Sequence, residues 1–370
     1  MSKTSISKAL FLISQYLVAL VFVFSGFVKC VDPTGTAIKM EEYFTAFGMD
    51  SLIPLSMTLA LVMCGAELLI GVSLLLNLRV IWGIWGALAL MVFYTPLTLW
   101  LALTDKVTDC GCFGDAIKLT NWQTFLKNVV LDLFVLILLL GRKQIRSGLK
   151  ITYQVAGIAA FAVFVAVFEW YNVSHLPVID FMPYKKGTHI PSRMIIPDGA
   201  LQPRHKITFI YEKNGRRKRF SSENLPDSTW IFVDRKDRLL RKGYEPPIHD
   251  FSIITPDNQD VTTQILEYPD SVYLLVISSI EKTNTKYFEQ INRIAQSAWS
   301  QGYDFYALTS SLPEEHEIFR ERVKASYPIY MMDETTLKTM IRSNPGLLLI
   351  KEGTVLGKWH FRDLKKVLTR

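Results

Sequence analysis

Asp109-Cys110-Gly111-Cys112-Phe113-Gly114-Asp115 separates two long apolar runs, residues 80–103 and 122–140. Each run holds about 20 residues, enough for a helix to cross ~30 Å of hydrocarbon. A bilayer offers backbone groups no hydrogen-bond partner, so such runs must be helical. The string between them is therefore a turn at one membrane face. It carries two of the four cysteines, and no cysteine follows Cys112.

Working outward, residues 9–28, 52–76 and 151–170 are equally long and apolar, which makes five expected spanning helices. The first is read as a retained helix rather than a cleaved signal, because no small-x-small site follows it. Hydrophobic residues make up 49% of the 370, yet 20% are charged. An apolar block joined to an ordinary water-soluble block explains both figures. The net charge of +7 is not read as nucleic-acid binding, since basic residues also collect in the cytoplasmic loops of membrane proteins.

Those basic residues set the expected orientation. Lys3 and Lys8, then Arg79, then Arg142, Lys143, Arg146 and Lys150 fall on one side of the five helices, which is then cytoplasmic. The loops 29–51 and 104–121 contain no arginine and face out. An odd helix count puts the C-terminal half outside as well. In a bacterium this means the inner membrane, a cytoplasmic N-terminus and a periplasmic C-terminal half. Cys30, Cys110 and Cys112 then share an oxidising space where disulfides are allowed, while Cys64 lies near mid-bilayer.

Cys64, Glu67 and Gly71 form one stripe along the second helix, by their spacing of three and four. Acids at membrane depth are costly and often functional, so Glu67, and after it Asp132 in the fourth helix, are candidates; the alternative is that both only hold helices together. Tyr94-Thr95-Pro96 is a kink signal in the third helix.

Together, Phe24-Ser25-Gly26-Phe27-Val28-Lys29, Asp32-Pro33, Glu67-Leu68-Leu69-Ile70-Gly71 and Cys110-Gly111-Cys112-Phe113-Gly114 resemble the DoxX-like membrane proteins, with the methylamine-utilisation protein MauE as the nearest branch. The resemblance covers residues 9–141. It implies a four-helix membrane bundle, here with a fifth helix added. It also implies a role in periplasmic thiol and disulfide handling, or as a small subunit of a quinone-linked oxidoreductase. A quinone is the one cofactor this admits.

Two cysteines separated by one glycine can close a small ring, with glycine supplying the unusual backbone angles. So short a ring holds its disulfide away from relaxed geometry and makes it easier to reduce. Three readings stay open: an exchangeable pair, with Cys30 as resolving partner, a structural staple, or a metal site. Metal is the weakest, as neither outer loop contains histidine and four ligands are usual.

The soluble half divides into a β-rich connector, 171–243, and an α/β domain, 244–370. In the connector, residues 207–213 and 216–222 flank Asn214-Gly215, a type I′ hairpin signal. In the α/β domain the pattern βαβα followed by ββα resembles the thioredoxin fold of the TlpA type. Asn344-Pro345 occupies the place of that family's cis-proline. Where the family carries Cys-x-x-Cys, this chain has Lys282-Thr283-Asn284-Thr285, so the domain itself cannot exchange thiols. It is expected to bind an extended peptide or a partner subunit, with Lys282, Thr285 and Pro345 at the contact. The domain plan is thus 1–150, a DoxX/MauE-like bundle; 151–170, a fifth transmembrane helix; 171–243, the connector; and 244–370, the thioredoxin-like domain. Two functions follow as expectations: a thiol-disulfide oxidoreductase acting on a periplasmic client, or a non-enzymatic membrane scaffold whose cysteines only staple loops.

Overall fold

The computed structural model describes residues 3–107, 110–145, 149–241 and 243–368. Asp109 and Arg146, which the sequence places in an outer and a cytoplasmic loop, lie outside the described residues.

The N-terminal half is helical: α1 (Lys3–Val31), α2 (Pro33–Ala46), α3 (Ser56–Leu75), α4 (Val80–Thr104), α5 (Asn121–Leu140) and α6 (Ile151–Ser174). Five segments are long and apolar enough to cross a membrane: Lys8–Val31, Asp50–Leu75, Val80–Thr104, Asn121–Leu140 and Ile151–Ser174. The short α2 falls in the loop 29–51, where the sequence reading placed no helix. It starts where Pro33 sets the first turn and Asp32 accepts a hydrogen bond from Gly35 N at 2.9 Å, a side-chain cap. Pro96 lies inside α4, which continues past it. A capping box of Thr120 and Gln123 opens α5.

Two glycines bring α1 and α3 into backbone contact. A Cβ on Gly26 would stand 2.5 Å from Leu68 N, and one on Gly71 would stand 2.6 Å from Val23 N. No larger residue fits at either crossing point, which is how small residues let membrane helices approach. One turn along from each glycine, Lys29 and Glu67 are thereby pressed together.

The C-terminal half contains α7 (Ile190–Met194), a three-stranded sheet, and an α/β unit. The sheet is β1 (Arg204–Lys213), β2 (Arg216–Ser221) and β3 (Ile231–Arg241), in the order β2-β1-β3. Its β1–β2 hairpin turns at Asn214 and Gly215, both with positive φ, as a type I′ turn requires. The third strand was not foreseen: its sequence alternates apolar and charged residues only weakly, and pairing with β1 supplies the order. The α/β unit runs α8 (Thr262–Leu266), β4 (Ser271–Ile277), α9 (Phe288–Ser300), β5 (Asp304–Thr309), α10 (Pro313–Val323), β6 (Ile329–Met331), α11 (Glu334–Met340), β7 (Gly346–Lys351), β8 (Thr354–His360) and α12 (Lys365–Leu368).

Its sheet order is β6-β5-β4-β7-β8, with β4, β5 and β6 parallel and β7 and β8 antiparallel to their neighbours. That is the thioredoxin topology with one added edge strand. Apolar clusters cover both faces, one around Leu274, Leu337 and Leu348, the other around Leu275, Phe288 and Phe319. The Asn344–Pro345 bond before β7 is cis.

The α/β head rests on the non-cytoplasmic end expected of the bundle, the end that carries the cysteine loop. Arg342, just past α11, reaches Asp32 at 2.9 Å and Asp115 at 3.4 Å. Lys338 Nζ lies 3.9 Å from Glu41, and Arg362 donates to Ser174 O at 3.4 Å.

Candidate functional site

The cysteine string is a tight surface turn, with Gly111 and Gly114 at φ +61° and +50° and Gly114 N donating to Gly111 O at 3.0 Å. Glycine takes such angles without strain. A Cβ on Gly111 would also meet Lys39 Cγ at 3.2 Å. The helices hold this turn by its carbonyls. Tyr43 Oη of α2 donates to Cys110 O at 2.7 Å, and Ser25 Oγ of α1 donates to Cys112 O at 2.6 Å. Phe113 packs edge-on against Phe24, and Lys127 of α5 sits 4.6 Å above its ring.

Cys110 and Cys112 are free thiols in this structure, both half-buried, with sulfurs 2.8 Å apart. At that distance either sulfur can donate to the other. A hydrogen bond from Cys110 favours the thiolate form of Cys112, and the nearby cations of Lys127 and Lys29 add to this against the cost of burial, pulling Cys112 down to about 6. Cys110 is pushed upward by the same bond and by burial. A thiolate at neutral pH is the nucleophilic form of cysteine.

Beneath the turn lies a buried charge pair. Lys29 Nζ and Glu67 Oε2 are 2.7 Å apart, and Tyr94 Oη donates to the same carboxylate at 3.2 Å. Glu67 is thus partnered, as an acid at membrane depth must be. Asp132 accepts from Thr95 Oγ1 at 2.8 Å, a separate contact between α4 and α5.

Cys30 and Cys64 form a second group. Both are wholly buried and pack in one cluster with Leu68 and Val165. Cys30 Sγ donates to Glu169 Oε1 at 3.2 Å. Cys30 therefore faces α6 and the interior, whereas Cys110 has Cys112 as its sulfur neighbour. Three functional candidates escaped the sequence reading: Glu169, Lys127 and Arg342. Glu169 was visible as an acid at the end of an apolar run, but nothing in sequence told which thiol it would meet.

Between the head and the bundle is a crevice of about 830 Å³, lined among others by Asp32, Lys39, Gly111, Asp115, Lys282 and Arg342. Of the three residues expected to contact a partner, Lys282 lines it, and Thr285 and Pro345 are set back. The Lys282–Thr285 loop and the cis-proline do meet, since Asn284 N donates to Asn344 O at 3.2 Å. Among the described residues no three His, Cys, Asp or Glu side chains converge as a metal site would need.

Fold and site together define a membrane-embedded dithiol protein with a cysteine-free thioredoxin-fold head. The family described as methylamine utilisation protein MauE matches residues 7–141, and a domain of unknown function, DUF8463, matches residues 205–242. No curated protein matches the chain. Among solved structures, a candidate protein disulfide isomerase from Bacteroides thetaiotaomicron is similar at 16% identity and TM-score 0.28, over 32% of this chain and 82% of that one. A thioredoxin-like protein from Aeropyrum pernix is similar at 14% identity and TM-score 0.27, over 32% and 88%.

Proposed function

We infer that the protein exchanges disulfides with a client protein at the periplasmic face of the bacterial inner membrane, with its N-terminus in the cytoplasm. The observation that carries this reading is the Cys110–Cys112 pair, whose sulfurs lie 2.8 Å apart. In one direction Cys112 thiolate attacks a client disulfide. A Cys112–client bond forms, the client bond breaks, and one client thiolate leaves. Cys110 then attacks Cys112 Sγ, the mixed disulfide breaks, and the second client thiolate leaves. Two electrons pass from the dithiol to the client, and the reverse sequence oxidises it. Resolution falls to Cys110 because Cys30 is turned to Glu169. The head contributes no thiol; its crevice admits the client to the turn.

An apolar space of the kind a quinone ring needs is set apart from the dithiol. The apolar cleft of about 400 Å³ between α3 and α6, lined by Leu76, Leu78 and Phe164, lies at the other end of the bundle. The test is trapping. In Cys110→Ser the resolving thiol is gone, and disulfide-linked adducts on Cys112 should accumulate in extracts made without reductant. Absence of adducts would remove the exchange reading. The second reading, a scaffold with stapling cysteines, is favoured by the cysteine-free head. A variant with all four cysteines replaced by serine separates the two: the scaffold keeps its function, the exchanger loses it.

A further inference from the structure

The small sheet β1–β3 stands apart from every core in the molecule. Among its described side chains none is buried, and its strands pair only with one another. A three-stranded sheet normally needs a packed apolar face. Between Arg204 and Arg241 the chain carries eleven lysines and arginines against five acids, a surplus of six out of the net +7.

Register sorts these residues onto two faces. On one, Phe209, Tyr211, Phe220, Trp230 and Phe232 form a run of edge-to-face rings with centroids 5.2–6.5 Å apart, bordered by Lys213 and Lys218 over Trp230 and Phe220. On the other, Lys206 stands opposite Arg238, Thr208 opposite Lys236, and Ile210 between Arg219 and Asp234. Arg204 stands opposite Arg241 at the sheet's end. Like charges directly across a ladder cost stability, so the isolated sheet is poorly satisfied on its basic face. Exposed Ile195, Ile196 and Leu201 lead into it, and Ile231 is 73% exposed at its far end.

We propose that the basic face of this sheet is a binding surface for the anionic phospholipid headgroups of the bilayer that the chain's own helices span. Clustered basic side chains on one face, next to exposed aliphatic residues in the segment leading into it, match a surface where phosphate lies next to hydrocarbon. The sheet and the spanning helices belong to one chain, so the bilayer is present at a high effective concentration. An acidic protein would complement the charge as well. It would leave the leading apolar residues Ile195, Ile196 and Leu201 without a role, and for that reason lipid is the assigned occupant. The inference is independent of the thiol chemistry.

The test uses the whole chain in nanodiscs of phosphatidylcholine alone and of phosphatidylcholine with about 30% phosphatidylglycerol. Lysine acylation is followed by mass spectrometry. Lys206 and Lys236 should react at least about threefold more slowly in the anionic disc, and the protection should vanish near ~0.5 M salt. Lys324 and Lys351, exposed on the head, should be unchanged. Arg219→Glu with Arg238→Glu should abolish the protection; the new Glu opposite Lys206 keeps the ladder paired. Equal rates in both discs would overturn the assignment, as would protection indifferent to salt. Protection that requires an added acidic protein rather than lipid would also overturn it, making this a protein-docking face.

Discussion

Arg342→Met should release the head from the bundle. The guanidinium is 7% exposed and holds Asp32 at 2.9 Å and Asp115 at 3.4 Å, whose side chains are 15% and 30% exposed. Removing one partner of a fully buried pair costs about 3–5 kcal/mol. Water reaches both acids here and recovers part of that, leaving about 2 kcal/mol, or roughly a thirtyfold loss in the docking constant. Met keeps the apolar stem, so the head's own core is not opened. The readout is built into the interface: Lys338 Nζ lies 3.9 Å from Glu41 on the bundle and 2.8 Å from Glu334 on its own helix. A zero-length carbodiimide cross-link to Glu41 reports docking, and the link to Glu334 serves as the internal reference. The Glu41-to-Glu334 ratio should fall steeply in Arg342→Met and in Asp32→Asn, which retains its capping role towards Gly35. The double variant should fall little further, because both changes remove one contact. An unchanged ratio in Arg342→Met would refute the claim that this ion pair holds the two parts together.

Alkylation of Cys112 should titrate with a midpoint near about 6, falling away at lower pH as the thiolate is protonated. Lys127→Met should move that midpoint upward, since a cation favouring the thiolate is lost; an unmoved midpoint would show that Lys127 does not act on the sulfur. Glu67→Gln should destabilise the bundle by about 3–5 kcal/mol by stranding Lys29, and Lys29→Met with Glu67→Leu should restore most of it; thermal unfolding in detergent measures both. His360 is held down to about 4 by burial first and by Arg362 next. The unfolded chain therefore takes up a proton at this site before the folded one does. Stability is complete above the ordinary histidine range and drains away between about pH 6.5 and 4, by about 3 kcal/mol in all. His360→Asn should flatten that slope in pH-dependent unfolding.

Five spanning helices, an α/β head and the absence of thiols in that head were legible from residue order. Apolar length reports a membrane helix because hydrocarbon tolerates nothing else, and period and turn chemistry report strands. Asn344-Pro345 and Asn214-Gly215 were readable for the same reason, since each acts on its own backbone. The short α2 and strand β3 were not, as both depend on partners distant in sequence.

What the linear order determined is therefore each residue's local commitment: which stretches must be helical, where turns fall, and that only four thiols exist. The tertiary structure alone decided which sulfur meets which group. Gly26 and Gly71 let two helices touch and set Lys29 on Glu67. Cys30 turned to Glu169 while Cys110 met Cys112, and Arg342 crossed 310 positions to reach Asp32. Thiol reactivity and charge pairing depend on distances of a few ångströms between side chains far apart in the chain, and such distances exist only once the helices have packed.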